Sequence, residues 1–218
     1  MTLHLDCADE LLSTTRAVRK RLDLSRPVPR EVILDCIRIS QQAPTGSNSQ
    51  GWRWLVITDP ARKQALADLY RGTAADYFPK ARARAQSQDL AQTARVYDSA
   101  QYLADHLHEV PAHVIPCISG RPPEGGGSHA GGFFASIYPA VWSLILALRS
   151  RGYGTTLTTL HLPFESEAAE ALGIPPTVHQ AALLPVAKYT GDDFKPGRRR
   201  PVEEVTYWNS WKGPRAGA

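Results

Sequence analysis

Residues 133–159 read FFASIYPAVWSLILALRSRGYGTTLTT, and the two halves of this stretch specify different structure. From Phe133 to Leu148 the chain is apolar, interrupted at Ser136, Pro139 and Ser143 and stopped by Arg149. The span is too short and too broken for the roughly 20 apolar residues that a bilayer requires. A helix over Ala135 to Arg149, apolar on every side, therefore belongs in a core or at a subunit interface. Gly152-Tyr153-Gly154 then breaks the helical pattern, and the β-branched run Thr155 to Thr159 reads as a strand.

Working outward, residues 8–21 read as a helix, and Pro29 opens a second one, EVILDCIRISQQA, that stops at Pro44. A loop of small residues, Thr45 to Gly51, leads into an aromatic and β-branched strand from Trp52 to Thr58. Asp59-Pro60 then caps a helix to about Tyr70. Thr73 to His108 reads as two amphipathic helices, with aromatics at Tyr77, Phe78, Tyr97 and Tyr102. A strand from Ala112 to Ser119 follows, and the glycine-rich segment 120–132 reads as a mobile loop. Pro163 starts a helix that Gly173 ends, and the last strand runs from Gln180 to Tyr189. Helices and strands mix without strict βαβ alternation, so the expected class is α+β: a mostly antiparallel sheet wrapped by helices. The whole chain, 1–218, reads as one domain with a flexible loop near 120–132 and a C-terminal arm, 191–218. That arm carries Tyr207, Trp208 and Trp211. Two tryptophans need a surface to pack on, and a partner subunit supplies one.

The chain has 218 residues, of which 21% are charged and 43% hydrophobic, which excludes disordered, collagen-like and coiled-coil classes. The net charge of +4 is concentrated in two small clusters, Arg16 to Arg21 and Arg198 to Arg200. Clusters of that size suit a small anion better than the long stripe of a nucleic-acid footprint, which stays a distant alternative. Cys7, Cys36 and Cys117 show no CxxC spacing and read as structural thiols in a reducing, cytoplasmic setting. The N-terminus carries acidic residues before any apolar run, the reverse of a signal peptide. No HExxH, phosphate-binding P-loop or GxSxG motif is present and the histidines are scattered, so no metal site is expected.

Three separated segments stand out: Arg16-Ala17-Val18-Arg19-Lys20, the run APTGSNSQGW at 43–52, and RRRPVEE at 198–204. Together with 135–161, they resemble the nitroreductase family of flavoproteins, over about Thr14 to Trp211. The middle helices, 72–108, match only in character. Thr15, Ala17, Gly51 and Trp142-Ser143 depart from the family's usual residues.

The resemblance implies an intertwined homodimer with FMN at each of two interface sites. It also implies an FMN-dependent oxidoreductase that takes hydride from NADH or NADPH and reduces a small electron acceptor such as a nitroaromatic or a quinone. A flavin-dependent dehydrogenase or other flavoenzyme of the same fold is the alternative. By the same carry-over, Arg16, Ala17, Arg19, Arg198, Arg199 and Arg200 surround the flavin phosphate, whose oxygens match the guanidinium fork. Pro44, Thr45, Gly46 and Asn48 serve the partner's flavin, and Leu157, Thr158 and Thr159 lie beside its ring. Tyr77, Phe78, Tyr97, Tyr102 and Trp142 are the candidates for the substrate pocket. No side-chain acid or base is obligatory, because the cofactor carries the chemistry. Without the resemblance, each basic cluster reads as a solvated face, and Asn48 as the cap of a turn.

Overall fold

In the computed structural model the described residues are 4–123, 127–192 and 194–212. The chain forms two compact units, one of Arg16–Asp192 and one assembled from the two chain ends.

The larger unit is built on a five-stranded sheet in the order β1-β2-β5-β3. The strands are β1 (Trp52–Ile57), β2 (Ala112–Ser119), β3 (Tyr153–Thr155), β4 (Val178–Gln180) and β5 (Leu184–Lys188). Every pairing is antiparallel, with β4 and β5 both lying against β2. The mostly antiparallel α+β architecture expected from the sequence is the one observed. β2 is buried along all but its last residue, which requires cover on both faces. Ala112, Val114 and Ile118 join a core with α2 (Arg30–Ser40) and the central helix α6 (Tyr138–Arg149). By alternation the odd-numbered residues face the other layer, where His113 Nε2 bonds the Leu107 carbonyl at 2.9 Å.

The last strand, expected as one run, is two. Cys117 pairs with Gln180 and Val114 with Leu184, so one side carries an extra residue between these pairs, as in a β-bulge. Pro116 sits at the break and has no N–H to continue the ladder. Its carbonyl still accepts from Ala181 N at 2.9 Å, while Leu183 turns to exchange both backbone bonds with Thr158, at 3.0 and 2.8 Å. The bulge therefore anchors the chain that leaves β3.

Other boundaries moved as well. The helix expected to end near Tyr70 continues as α3 (Pro60–Ser87), through Gly72 and Pro79. It packs along α4 (Ala91–His106), burying Phe78, Ala85, Ala100 and Leu103, and this lateral packing outweighs the hydrogen bond lost at Pro79. α5 (Gly127–Ala135) occupies part of the segment expected as a loop. Residues 124–126 of that segment, and 213–218 of the expected arm, lie outside the described residues. The stretch Ala130–Arg149 is long and apolar enough to cross a bilayer by composition. In the fold, however, Ala140, Val141, Leu144, Ile145, Ala147 and Leu148 of α6 are core residues.

The smaller unit holds α1 (Leu5–Thr14) and the C-terminal segment. α1 ends at Thr14, well before the expected residue 21, because the Thr14 and Thr15 hydroxyls bond back to the Glu10 and Leu11 carbonyls at 2.7 and 2.6 Å. In the tail, Tyr207 stacks on Trp211 at 4.5 Å, and Trp208 and Trp211 remain 59% and 79% exposed. Cys36 and Cys117 are buried thiols, as expected of structural cysteines, whereas Cys7 lies exposed on α1.

Candidate functional site

The basic segment near the start is extended, and a close packing contact sets its course. Val18 N donates to the Thr155 carbonyl at 2.9 Å, which lays residues 16–19 against β3. A Cβ on Gly154 would stand 2.9 Å from both Val18 Cβ and Val18 Cγ1. Only a residue without a side chain lets the two backbones approach this closely.

With Val18 turned into the core, Arg19 is half-buried and reaches Ser99 Oγ on α4 at 3.5 Å. On α3, the buried Tyr70 shares a 3.0 Å hydrogen bond between its hydroxyl and Thr158 Oγ1. Burial lowers the pKa of Arg19, with the nearby Tyr70 acting in the opposite direction. Burial raises that of Tyr70, against the hydrogen bond from Thr158 and the charge of Arg19. The phenol therefore stays protonated and the guanidinium charged. Among the described residues no carboxylate pairs with Arg19. The donor set is a guanidinium, a phenol and two hydroxyls without a competing acid, which suits an anion such as a phosphate.

The other candidates fall in three places. Arg16 is half-buried and Ala17 exposed on the same extended segment, while Leu157 and Thr159 flank Thr158 and are exposed. Pro44, Gly46 and Asn48 are exposed and Thr45 half-buried in the loop before β1. Ser47, Asn48 and Gln50 all adopt left-handed backbone there, at φ 52, 52 and 47. Such residues cost of order 1–3 kcal/mol each when held against their preference. Here the contacts that hold them are explicit: Gly46 N bonds Ser136 Oγ at 3.0 Å, Gln50 N bonds Thr45 Oγ1 at 3.2 Å, and Gln50 Nε2 bonds Asn48 Oδ1 at 3.0 Å. Trp52 Nε1 fixes the same junction through the Ser136 carbonyl at 3.0 Å. The loop thus presents Asn48 to solvent on a braced, strained turn. Arg198, Arg199 and Arg200 are exposed in the smaller unit.

Of the pocket candidates, Phe78 is buried under Tyr77 and Tyr97, with ring centres 5.7 and 6.3 Å away. It supports those rings from the core. Tyr102 lies against His106 in a tilted ring pair with centres 4.4 Å apart, and Trp142 projects from α6, 46% exposed. Sequence reasoning missed Tyr70, Ser99 and Ser136. They come from distant positions and carry no local motif, so no signal in the sequence pointed to them.

Comparison with known proteins identifies the family. Residues 12–188 match the Nitroreductase family. The chain belongs to the nitroreductase family. A protein named NADH dehydrogenase from Thermus thermophilus is 26% identical to it, over 91% of this chain and 97% of that one. Among solved structures, an oxidized iodotyrosine deiodinase bound to FMN and 3-iodo-L-tyrosine superposes with a TM-score of 0.70 at 22% identity, covering 96% of this chain and 100% of that one. An FMN- and NADPH-dependent nitroreductase from Sphigopyxis sp. strain HMH superposes with a TM-score of 0.67 at 19% identity, covering 94% and 99%. At these identities the structural likeness concerns the fold.

Proposed function

We propose that this protein is an FMN-dependent oxidoreductase that uses NADH or NADPH to reduce a small electron acceptor, a nitroaromatic or a quinone, and that it works as a cytoplasmic homodimer. The observation that carries this reading is the half-buried, acid-free cradle of Arg19, Ser99, Tyr70 and Thr158 at the end of β3, in a chain of the nitroreductase family. When bound, FMN supplies the hydride relay between nicotinamide and acceptor. The side chains bind and orient it. Arg19 holds the phosphate with Arg16, and the backbone around Leu157, Thr158 and Thr159 lies against the ring. The bulge at Leu183 keeps that backbone in place through its two bonds to Thr158.

Features of the surface support the proposed assembly. Exposed Trp208 and Trp211 in the tail and Trp142 on α6 are apolar surface of the kind that a subunit interface covers. In the dimer, the braced Pro44–Asn48 turn reaches the partner's flavin, and Arg198, Arg199 and Arg200 are the further cations that the resemblance assigns to a flavin phosphate. The free thiols fit a reducing compartment.

Purified protein should be yellow or take up added FMN, and Arg19→Ala should lose charge-assisted hydrogen bonds of roughly 1.5–3 kcal/mol. FMN affinity should then fall at least tenfold, since about 1.4 kcal/mol is a factor of ten. A colourless protein that fails to take up FMN would refute the reading. The likeness to the deiodinase fold supports a second chemistry on the same cofactor site. Anaerobic titration decides between the two: a bound flavin that neither nicotinamide reduces would favour the second.

A further inference from the structure

The outer half of the α3–α4 pair carries a groove of about 450 Å³, lined in part by Tyr77, Lys80, Arg84, Leu90, Thr93 and Tyr97. Lys80 and Arg84 are four residues apart on α3 and so share one face, where their like charges repel. Neither forms an ion pair among the described residues. Arg82, between them, lacks this freedom, since its Nε is held by Asp98 Oδ1 at 2.8 Å beside the adjoining groove. The two cations facing the larger groove have been left without an acid, while the one facing away has been neutralised.

The opposite requirement, an apolar wall, is also met. Tyr77 and Tyr97 stand edge to face with ring centres 6.0 Å apart, over the buried Phe78, and Leu90 adds an aliphatic surface. The pKa of Tyr97 is raised, chiefly by the neighbouring Tyr77 hydroxyl and then by burial, against the pull of Arg84. At neutral pH the Tyr97 phenol therefore stays protonated. Pockets for small ligands span about 300–1,000 Å³. This one lies near the lower end, which suits one or two rings and is too small for a dinucleotide.

We propose that the α3–α4 groove binds a small aromatic carboxylate, with the carboxylate between Lys80 and Arg84 and the ring against Tyr77 and Tyr97. Given the oxidoreductase reading above, this ligand is the electron acceptor, so the enzyme prefers acidic nitroaromatics to neutral ones. In the first two-electron step, the nitro group, NAD(P)H and a proton yield the nitroso group, NAD(P)+ and water.

Isothermal titration calorimetry on the whole protein, with 4-nitrobenzoate and with nitrobenzene as probes, tests the binding. The wild type should hold 4-nitrobenzoate at least tenfold more tightly than nitrobenzene. Lys80→Met with Arg84→Met, at exposed positions where Met keeps helix propensity, should abolish that preference and leave nitrobenzene and the melting temperature unchanged. In turnover, KM for 4-nitrobenzoate should rise about tenfold in the double variant at unchanged kcat. Equal binding of both probes by the wild type, or a preference that survives the double substitution, would overturn the proposal. Loss of binding with no change in KM would overturn the assignment of the ligand as acceptor. Calorimetry needs no turnover, so a protein that holds no flavin yet binds the carboxylate would refute the redox reading and leave the groove standing.

Discussion

Gly154→Ala is the sharpest probe of how the fold builds its anion cradle. Gly154 does not need glycine for its backbone angles, as it is absent from the left-handed residues. What an added methyl meets is Val18, with two carbons at 2.9 Å and Leu22 Cδ2 at 3.2 Å. Val18 Cβ is fixed to the backbone and cannot swing aside, so the segment carrying Arg19 must move. Overpacking of this kind costs about 1–3 kcal/mol, and a less flexible unfolded chain returns about 0.4–1 kcal/mol. A net loss of about 1–2 kcal/mol lowers the melting temperature by about 2–8 °C for a chain of this size. Because the displaced residues adjoin Arg19, FMN affinity should fall about tenfold along with stability. Gly152→Ala is the matched control. Gly152 has φ +76 and nothing within 4 Å of its Cβ position, so alanine there strains the backbone by roughly 1–2 kcal/mol without touching Val18. Thermal melts paired with FMN titrations of both variants give the result. If both lower the melting temperature but change FMN affinity equally, or if Gly154→Ala leaves it unchanged, the packing argument for the cradle fails.

Three further outcomes are expected. His113 and His161 are fully buried, and burial, the largest influence on each, pushes both pKa values down to about 4 from 6.5. The unfolded chain then takes up these protons first. The stability is complete above about pH 6.5 and is lost towards pH 4, at about 1.4 kcal/mol per pH unit for each histidine. Urea midpoints measured from pH 7.5 to 5 should fall accordingly, and a flat profile would show that these histidines titrate normally. Replacing Arg198, Arg199 and Arg200 together by Ala should cost at least tenfold in FMN affinity while the dimer, seen by gel filtration, persists. Cutting after Gly197 should weaken both, and full FMN occupancy in the triple variant would mark the three arginines as a solvated face.

The sequence by itself determined the class and most of the elements. Helical spacing placed α2, an aromatic and β-branched run placed β1, and a continuous apolar run placed the buried helix, while β2, read as a weakly alternating strand, is buried along all but its last residue. The segments carrying the family resemblance were legible too, as short runs of residue types that a phosphate or a turn requires. Tertiary structure alone decided the rest. The long α3 survives Gly72 and Pro79 because α4 packs along it, which no local propensity reports. The final strand breaks because Pro116, on a different strand, cannot donate, and the resulting bulge hands Leu183 to Thr158. The cradle itself joins residues 19, 70, 99 and 158. A hydrogen bond between side chains that far apart in the chain is a product of packing, and packing is visible only when the chain is folded.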